Sequence, residues 1–173
     1  MREPLSTISN IGFAVVAVLV WHISSPISIA LLLLTFGSSF YHWKKSDRGA
    51  AADEIGMYAV LCMCLHHQTI QYTDLHSTSF LFFFGLFIIM ALAYNRIDSF
   101  VGVPLLAFFN MLIFSLERPL LSWIFLGLFL ALGSVRHVGQ IVQPYNPRAH
   151  ELLHGIVWHG GLAILVYHFV IRI

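Results

Sequence analysis

The sequence predicts an all-α integral membrane protein, a bundle of seven transmembrane helices that forms a single domain over residues 1–173. Apolar residues make up 58% of the chain and charged residues 10%, whereas about a quarter of the residues in a soluble domain are charged. Polar or proline-containing breaks divide the apolar residues into seven segments. The formal net charge of +1 and the lack of a basic patch argue against a nucleic-acid partner.

The seven predicted spans are residues 7–23, 26–43, 51–67, 78–95, 98–115, 119–136 and 148–171. Most are near the lower end of the roughly 17–25 residues that cross a bilayer, which predicts a compact bundle. Pro26 and Pro119 fit the first turn of a helix, and Pro104 inside the fifth segment predicts a kink. The first segment lacks a strong basic n-region and a small-residue cleavage site, so it is predicted to be a retained span.

Basic residues predict the orientation of the bundle. The N-terminus and the connections after the second, fourth and sixth segments share one side of a seven-span protein. That side carries Arg2, Lys44, Lys45, Arg48, Arg96, Arg136 and Arg148, against Arg118 and Arg172 on the other. The positive-inside rule therefore predicts a cytoplasmic N-terminus and an outside C-terminus. The compact length favours a prokaryotic inner (cell) membrane over an internal organelle membrane.

The start of the last segment contains a pair of histidines with metal-ligand spacing. His150 and His154 are four residues apart in the string His-Glu-Leu-Leu-His. On an α-helix they are separated by about 40°, so both imidazoles share one face and could bind one metal ion.

Further polar residues are expected at the same depth. Ser38 and His42 lie four residues apart at the end of the second segment, and a short hairpin leads from there to Asp53 at the start of the third. With seven spans, this hairpin and the start of the last segment lie on the same side. Five residues are therefore expected to converge between three helices: Ser38, His42, Asp53, His150 and His154.

Such a group suits metal-assisted hydrolysis. Three histidines and a water make the open tetrahedral arrangement of catalytic zinc, which lowers the pKa of its water to about 7. Asp53 could take a proton from that water and return it to the leaving group. Ser38 could stabilise the oxyanion or orient the water or Asp53. The predicted reaction is hydrolysis of an amide or ester bond at the membrane–water interface.

Each of these residues also has a simpler structural explanation. A histidine at a helix end is commonly an interfacial anchor, and Ser38 beside Gly37 and Ser39 could be a small-residue helix contact. Asp53 and Glu54 could complement the dipole of their helix. Ionisable groups within membrane segments usually face the bundle interior with partners, and their convergence at one depth favours the site.

The order of these residues resembles that in the alkaline ceramidases and the wider CREST superfamily, which includes the adiponectin-type receptors. The shared pattern is Ser-x3-His, an Asp eleven residues after the His, and a late His-x3-His, here Ser38, His42, Asp53, His150 and His154. The first residues, from Glu3 to Asn10, resemble the family's Glu-x-x-Asn-Thr-x-Ser-Asn start of the first helix. The match covers the first, second, third and seventh segments.

The resemblance implies a zinc-dependent hydrolase acting on a membrane lipid, such as the N-acyl lipid ceramide. It also implies His42, His150 and His154 as the zinc ligands. Two features depart from the family pattern. Ser6 stands where the family usually has Asn, and the acidic segment that helps animal members bind calcium is missing except for Glu3. We therefore predict no calcium site.

The late histidine pair has a second possible register, His154-x4-His159. A five-residue step turns about 140° on an α-helix, which would place the two rings on different faces. The predicted ligand set therefore includes His150 and not His159.

An intramembrane metalloprotease is the alternative enzyme. The string from His150 to His154 matches the HExxH pattern, in which Glu151 would be the general base. Only one short helix follows, and no downstream acidic residue remains to act as a third ligand. Two non-enzymatic alternatives are a seven-helix receptor or lipid-binding protein and a b-type haem carrier. The substrate chain length and the oligomeric state are not predicted.

Overall fold

The computed structural model of the chain describes residues 3–72, 76–93, 99–115 and 118–172, and every secondary-structure element in these ranges is helical. The α-helices are α1 Pro4–Ser9, α2 Ile11–Val20, α3 Ser25–Lys44, α4 Asp47–Tyr72, α5 His76–Leu92, α6 Ser99–Ser115, α7 Pro119–Val142, α8 Pro147–Glu151 and α9 Gly161–Arg172. A π-helix, Leu152–Gly160, joins α8 to α9.

Within the described ranges, the elements group into seven helices that correspond to the seven predicted segments. α1 continues closely into α2, and α8, the π-helix and α9 run on as one. The all-α prediction is confirmed. Two helices, Pro119–Val142 and Pro147–Arg172, are long and apolar enough to cross a membrane. The predicted segment ends at residues 95 and 98 lie outside the described residues, as do Arg2 and Arg96.

The hairpin of α3 and α4 is the closest helix pair near the candidate site. Lys45 follows α3 in the left-handed conformation with φ of 50°, and α4 begins two residues later. A Cβ on Gly37 would lie 3.1 Å from Asp53 N, and one on Gly56 would lie 2.7 Å from Leu34 Cα. Glycine therefore lets the two backbones touch, which brings Asp53 beside the end of α3.

The first residues of the chain pack between the end of α3 and the π-helix. Glu3 N donates a hydrogen bond to His42 O at 3.1 Å, and Leu5 N donates to Glu151 Oε2 at 3.1 Å. A Cβ on Gly155 would lie only 2.9 Å from Ser6 Cα, so α1 lies directly on the π-helix. These contacts bring residues from the two ends of the sequence together.

Apolar side chains occupy both the interior and much of the outer surface. The interior includes the fully buried Tyr58, Ile27 and Leu31. On the outside, Leu92 is 81% exposed and Leu120 is 75% exposed, and many other large apolar side chains are similarly open. Large apolar side chains exposed in such number are typical of a protein surface that contacts a partner or a membrane.

Candidate metal centre

Three buried histidines form the group that could hold a metal ion in the described part of the chain: His42, His154 and His159. His42 lies in the last turn of α3, and the other two lie on the π-helix. One ligand atom from each residue lies within 4.8 Å of the others. The three ring centroids are separated by 4.9–5.0 Å. Three imidazoles are a common ligand set for catalytic zinc.

The π-helix explains why His159 belongs to this group. Its backbone hydrogen bonds join residues five apart instead of four, so residues 154 and 159 come to lie on one face. The spacing argument that placed these two rings on different faces assumed an α-helix and is wrong for this segment. Of the predicted ligands, His42 and His154 are brought together, with His159 as their third partner.

His150 lies beside the group but contacts other residues. Its Nδ1 donates a hydrogen bond to Gly139 O on α7 at 2.8 Å, and its Nε2 lies 3.2 Å from Glu3 Oε1. Its ring stacks on that of His154 with centroids 5.2 Å apart. Both nitrogens of His150 thus face oxygen atoms, and His150 is not among the three histidines whose ligand atoms lie within 4.8 Å of one another.

A single buried carboxylate, that of Glu3, links several residues around the group. It lies 2.6 Å from His42 Nδ1, 2.7 Å from Lys45 Nζ and 3.0 Å from Gln143 Nε2. Burial by itself raises the pKa of Glu3, but hydrogen bonds and charge from His42 and Lys45 outweigh it and lower the pKa to about 2. Glu3 is therefore ionised at neutral pH and holds the start of the chain against α3.

His159 has its own partners in the first helix. Its Nδ1 lies 2.9 Å from Ser9 Oγ and 3.3 Å from Ser6 O. Ser9 Oγ itself donates to Ser6 O at 2.8 Å. Both contacts involve α1, so this helix packs against the face of His159 that carries Nδ1.

The predicted catalytic residues lie on the same small pocket as the histidines. A small pocket is lined by apolar side chains together with Ser38, Asp53, Arg136, His154 and His159. Arg136 also lies over the Trp158 ring, with its Cζ 5.5 Å from the centroid. The pocket therefore combines an acid, a hydroxyl, a cation and two of the three grouped imidazoles.

A larger, apolar cavity adjoins this pocket. The two share the wall residues Phe13, Leu34, Met57, Trp158 and Leu162. The lining of the cavity runs along α4 from Met57 to Cys64, seven residues or about 10 Å. Asn110 is the one amide in its lining, and its Nδ2 donates to Leu61 O and Leu106 O. An extended apolar ligand would suit this space.

Several buried polar atoms at the centre lack a hydrogen-bond partner. They include His42 Nε2, His154 Nδ1 and Ser38 Oγ. Buried polar atoms are nearly always satisfied, so unpaired ones call for a water, an ion or a ligand. The donor set of three imidazoles, two of them with an unpaired buried nitrogen, fits a zinc ion, with Asp53 and Ser38 nearby.

The sequence predicted no site role for four residues that the structure places here: His159, Glu3, Ser9 and Arg136. The signal for His159 was the alternative His154-x4-His159 register. The sequence signal for Glu3 and Ser9 is the Glu3–Asn10 stretch, which resembles the start of the first helix in the alkaline ceramidases.

Comparison of the chain with protein-family models, with curated proteins and with solved structures finds no match. The functional argument therefore depends on the residues and contacts of this chain.

Proposed function

We propose that this protein is a zinc-dependent hydrolase that cleaves an amide or ester bond of a membrane lipid. The observation that carries the proposal is that two of the three grouped histidines, Ser38 and Asp53 line one pocket that shares a wall with a long apolar cavity. His42, His154 and His159 are the proposed zinc ligands, which replaces His150 by His159 in the set expected from the sequence.

The residues of the pocket divide the chemistry between them. Zinc would supply Lewis acidity, which polarises a carbonyl group and makes water nucleophilic near neutral pH. Asp53 takes the proton of the attacking water and delivers it to the leaving amine or alcohol. Ser38 donates its hydroxyl proton to the oxyanion or orients the water, and Arg136 balances the negative charge of the pocket.

The apolar cavity favours a lipid substrate over a peptide. Its described lining residues are almost entirely apolar, as in sites that hold apolar ligands. An acyl chain would occupy it, with the scissile carbonyl at the histidines. Substrates of the N-acyl type, such as ceramide, fit this arrangement and agree with the resemblance to the alkaline ceramidases.

The membrane would be the natural solvent for this fold. We propose seven spans, with the exposed apolar side chains facing lipid, the N-terminus in the cytoplasm and the C-terminus outside. A prokaryotic inner membrane suits the compact chain.

Turnover of a panel of N-acyl lipids and lipid esters by the zinc-loaded protein in detergent tests the proposal. We expect hydrolysis by the wild type, loss of at least 100-fold in rate for Asp53→Asn, and retention of zinc in that variant. Asp47→Asn is the matched control, because Asp47 is exposed in the first turn of the same helix. Bound zinc with no turnover of any lipid would favour a receptor or lipid-binding protein.

The metalloprotease alternative is tested in the same assay by Glu151→Gln. The Glu151 carboxylate accepts a hydrogen bond from Leu5 N, and Glu151 is not among the residues that line the pocket. We expect Glu151→Gln to keep lipid hydrolysis within about threefold of the wild type. Loss of hydrolysis in Glu151→Gln with full activity in Asp53→Asn would overturn the assignment of Asp53.

A further inference from the structure

The segment from Glu3 to Ser9 supplies polar partners to two of the three grouped imidazoles. Glu3 contacts His42, and Ser9 contacts His159, in each case at Nδ1. The two partners come from opposite ends of α1, at Glu3 before its first residue and at Ser9, its last. One short helix therefore reaches the outward side of two rings at once.

The contact with Glu3 decides which nitrogen of His42 carries the proton. Glu3 Oε2 also lies 2.7 Å from Lys45 Nζ, a group that can only donate, so this oxygen is an acceptor and His42 Nδ1 is the donor to it at 2.6 Å. The other nitrogen, Nε2, is buried and has no hydrogen-bond partner. In the neutral ring its lone pair is thus free to bind a metal ion.

The same reasoning applies to His159 through the hydroxyl of Ser9. A serine hydroxyl has one proton, and Ser9 Oγ uses it in the bond to Ser6 O at 2.8 Å. Toward His159 the oxygen can then only accept, so His159 Nδ1 is the donor at 2.9 Å. Again Nε2 is the nitrogen that keeps a lone pair.

We propose that the segment from Glu3 to Ser9 is a positioning element of the metal centre: Glu3 and Ser9 hold His42 and His159 in the tautomer that presents Nε2 to the metal ion. This inference rests on the proposed metal centre and adds residues that do not touch the ion. Partners of this kind orient a ligand ring and raise its basicity, and their loss commonly weakens metal binding 10- to 100-fold.

Two further contacts keep the segment in place. Glu3 N donates to His42 O, and the Cα of Ser6 lies against Gly155 on the π-helix. Lys45 Nζ lies 2.7 Å from Glu3 Oε2, so its positive charge neutralises the buried carboxylate. The same ammonium group lies 4.4 Å from the centroid of the Tyr41 ring. The carboxylate is therefore held in position before a metal ion arrives.

The test is zinc affinity, measured by competition with a chromophoric chelator on the full-length protein in detergent. We expect Glu3→Gln and Ser9→Ala each to weaken zinc binding 10- to 100-fold. Two matched controls should stay within threefold of the wild type. Glu151→Gln makes the same chemical change and keeps an acceptor for Leu5 N, and Ser28→Ala removes a hydroxyl whose bond is to Ser24 O. Equal affinities in all four variants would overturn the proposal.

A direct measurement of the tautomers covers the case in which a variant does not fold. In ¹⁵N-histidine-labelled wild type loaded with zinc, the rings of His42 and His159 should show a protonated Nδ1 and a metal-bound Nε2. A metal-bound Nδ1 in either ring would contradict the inference. Neither measurement uses turnover, so a protein that behaves as expected here and hydrolyses no lipid would defeat only the proposed enzyme activity. Failure of the wild type to bind zinc would defeat both.

Discussion

His154 and His159 are five residues apart, yet their ring centroids lie 4.9 Å from each other on one face of the π-helix Leu152–Gly160. π-Helical turns are rare and occur frequently at functional sites. Here the extra residue in the turn brings His159 onto His42 and leaves His150 to contact Glu3 and Gly139.

Zinc stoichiometry should separate these two histidines. We expect His159→Ala to lose bound zinc, because one of three ligands is removed, and His150→Ala to retain close to one zinc per chain. Elemental analysis of the purified, dialysed proteins checks this. The reverse pattern, with zinc lost only in His150→Ala, would restore the ligand set expected from the sequence.

Deleting Ile156 should convert the π-helical stretch into α-helix and keep the metal centre. Ile156 is exposed, and its removal would place the two histidines four residues apart, where an α-helix aligns them on one face. After the deletion, α8 and α9 would keep their present rotation relative to each other. We expect full zinc content and an unfolding midpoint no lower than that of the wild type.

Deleting Ile164 is the matched control for that experiment. Ile164 is similarly exposed but lies in the regular helix α9. Its removal rotates the buried Phe169 and Val170 by about 100° away from the core. Removing Phe169 from the core lowers the free energy of unfolding by about 3–5 kcal/mol. For a chain of this size, each kcal/mol lowers the unfolding midpoint by about 2–4 °C. The midpoint should therefore fall by roughly 10 °C, and equal midpoints for the two deletions would contradict the π-helix argument.

Replacing Gly56 by alanine should destabilise the α3–α4 hairpin. The added Cβ would lie 2.7 Å from Leu34 Cα, a backbone atom that cannot move aside alone. Overpacking of this kind costs about 1–3 kcal/mol. Gly85→Ala is the control, since nothing lies within 4 Å of its Cβ and alanine improves helix propensity by up to about 1 kcal/mol. Thermal unfolding in detergent should lower the midpoint of the first variant only.

The contribution of Glu3 to stability should disappear in acid. Its pKa in the folded protein is about 2, below its ordinary 4.5, so the folded state favours the ionised form. The stabilisation is therefore complete above about pH 4.5 and is lost as the pH falls toward 2. We expect the difference in unfolding midpoint between wild type and Glu3→Gln to be largest at pH 5 and above and to shrink below pH 4.5. If the difference in unfolding midpoint between wild type and Glu3→Gln grew on acidification, the lowered pKa of Glu3 would be refuted.

The helical architecture could be predicted because it depends on local pattern. Apolar runs separated by polar and proline-containing breaks marked seven helices, and the structure starts α3 at Ser25 and α7 at Pro119, within a residue of the predicted positions. Ser38, His42 and Asp53 could be placed together for a similar reason. A hairpin of two helices returns the chain to the same depth, so sequence distance along it converts directly into spatial proximity.

The sequence by itself determined the helical class, the helix breaks, and the meeting of Ser38, His42 and Asp53 across one hairpin. Only the tertiary structure decided between His150 and His159 and assigned contacts to Glu3 and Ser9. The π-helical register places Gly155 against Ser6 and groups three imidazoles in one place. The choice of register therefore follows from contacts between the two ends of the chain, which no local pattern near residues 150–159 contains.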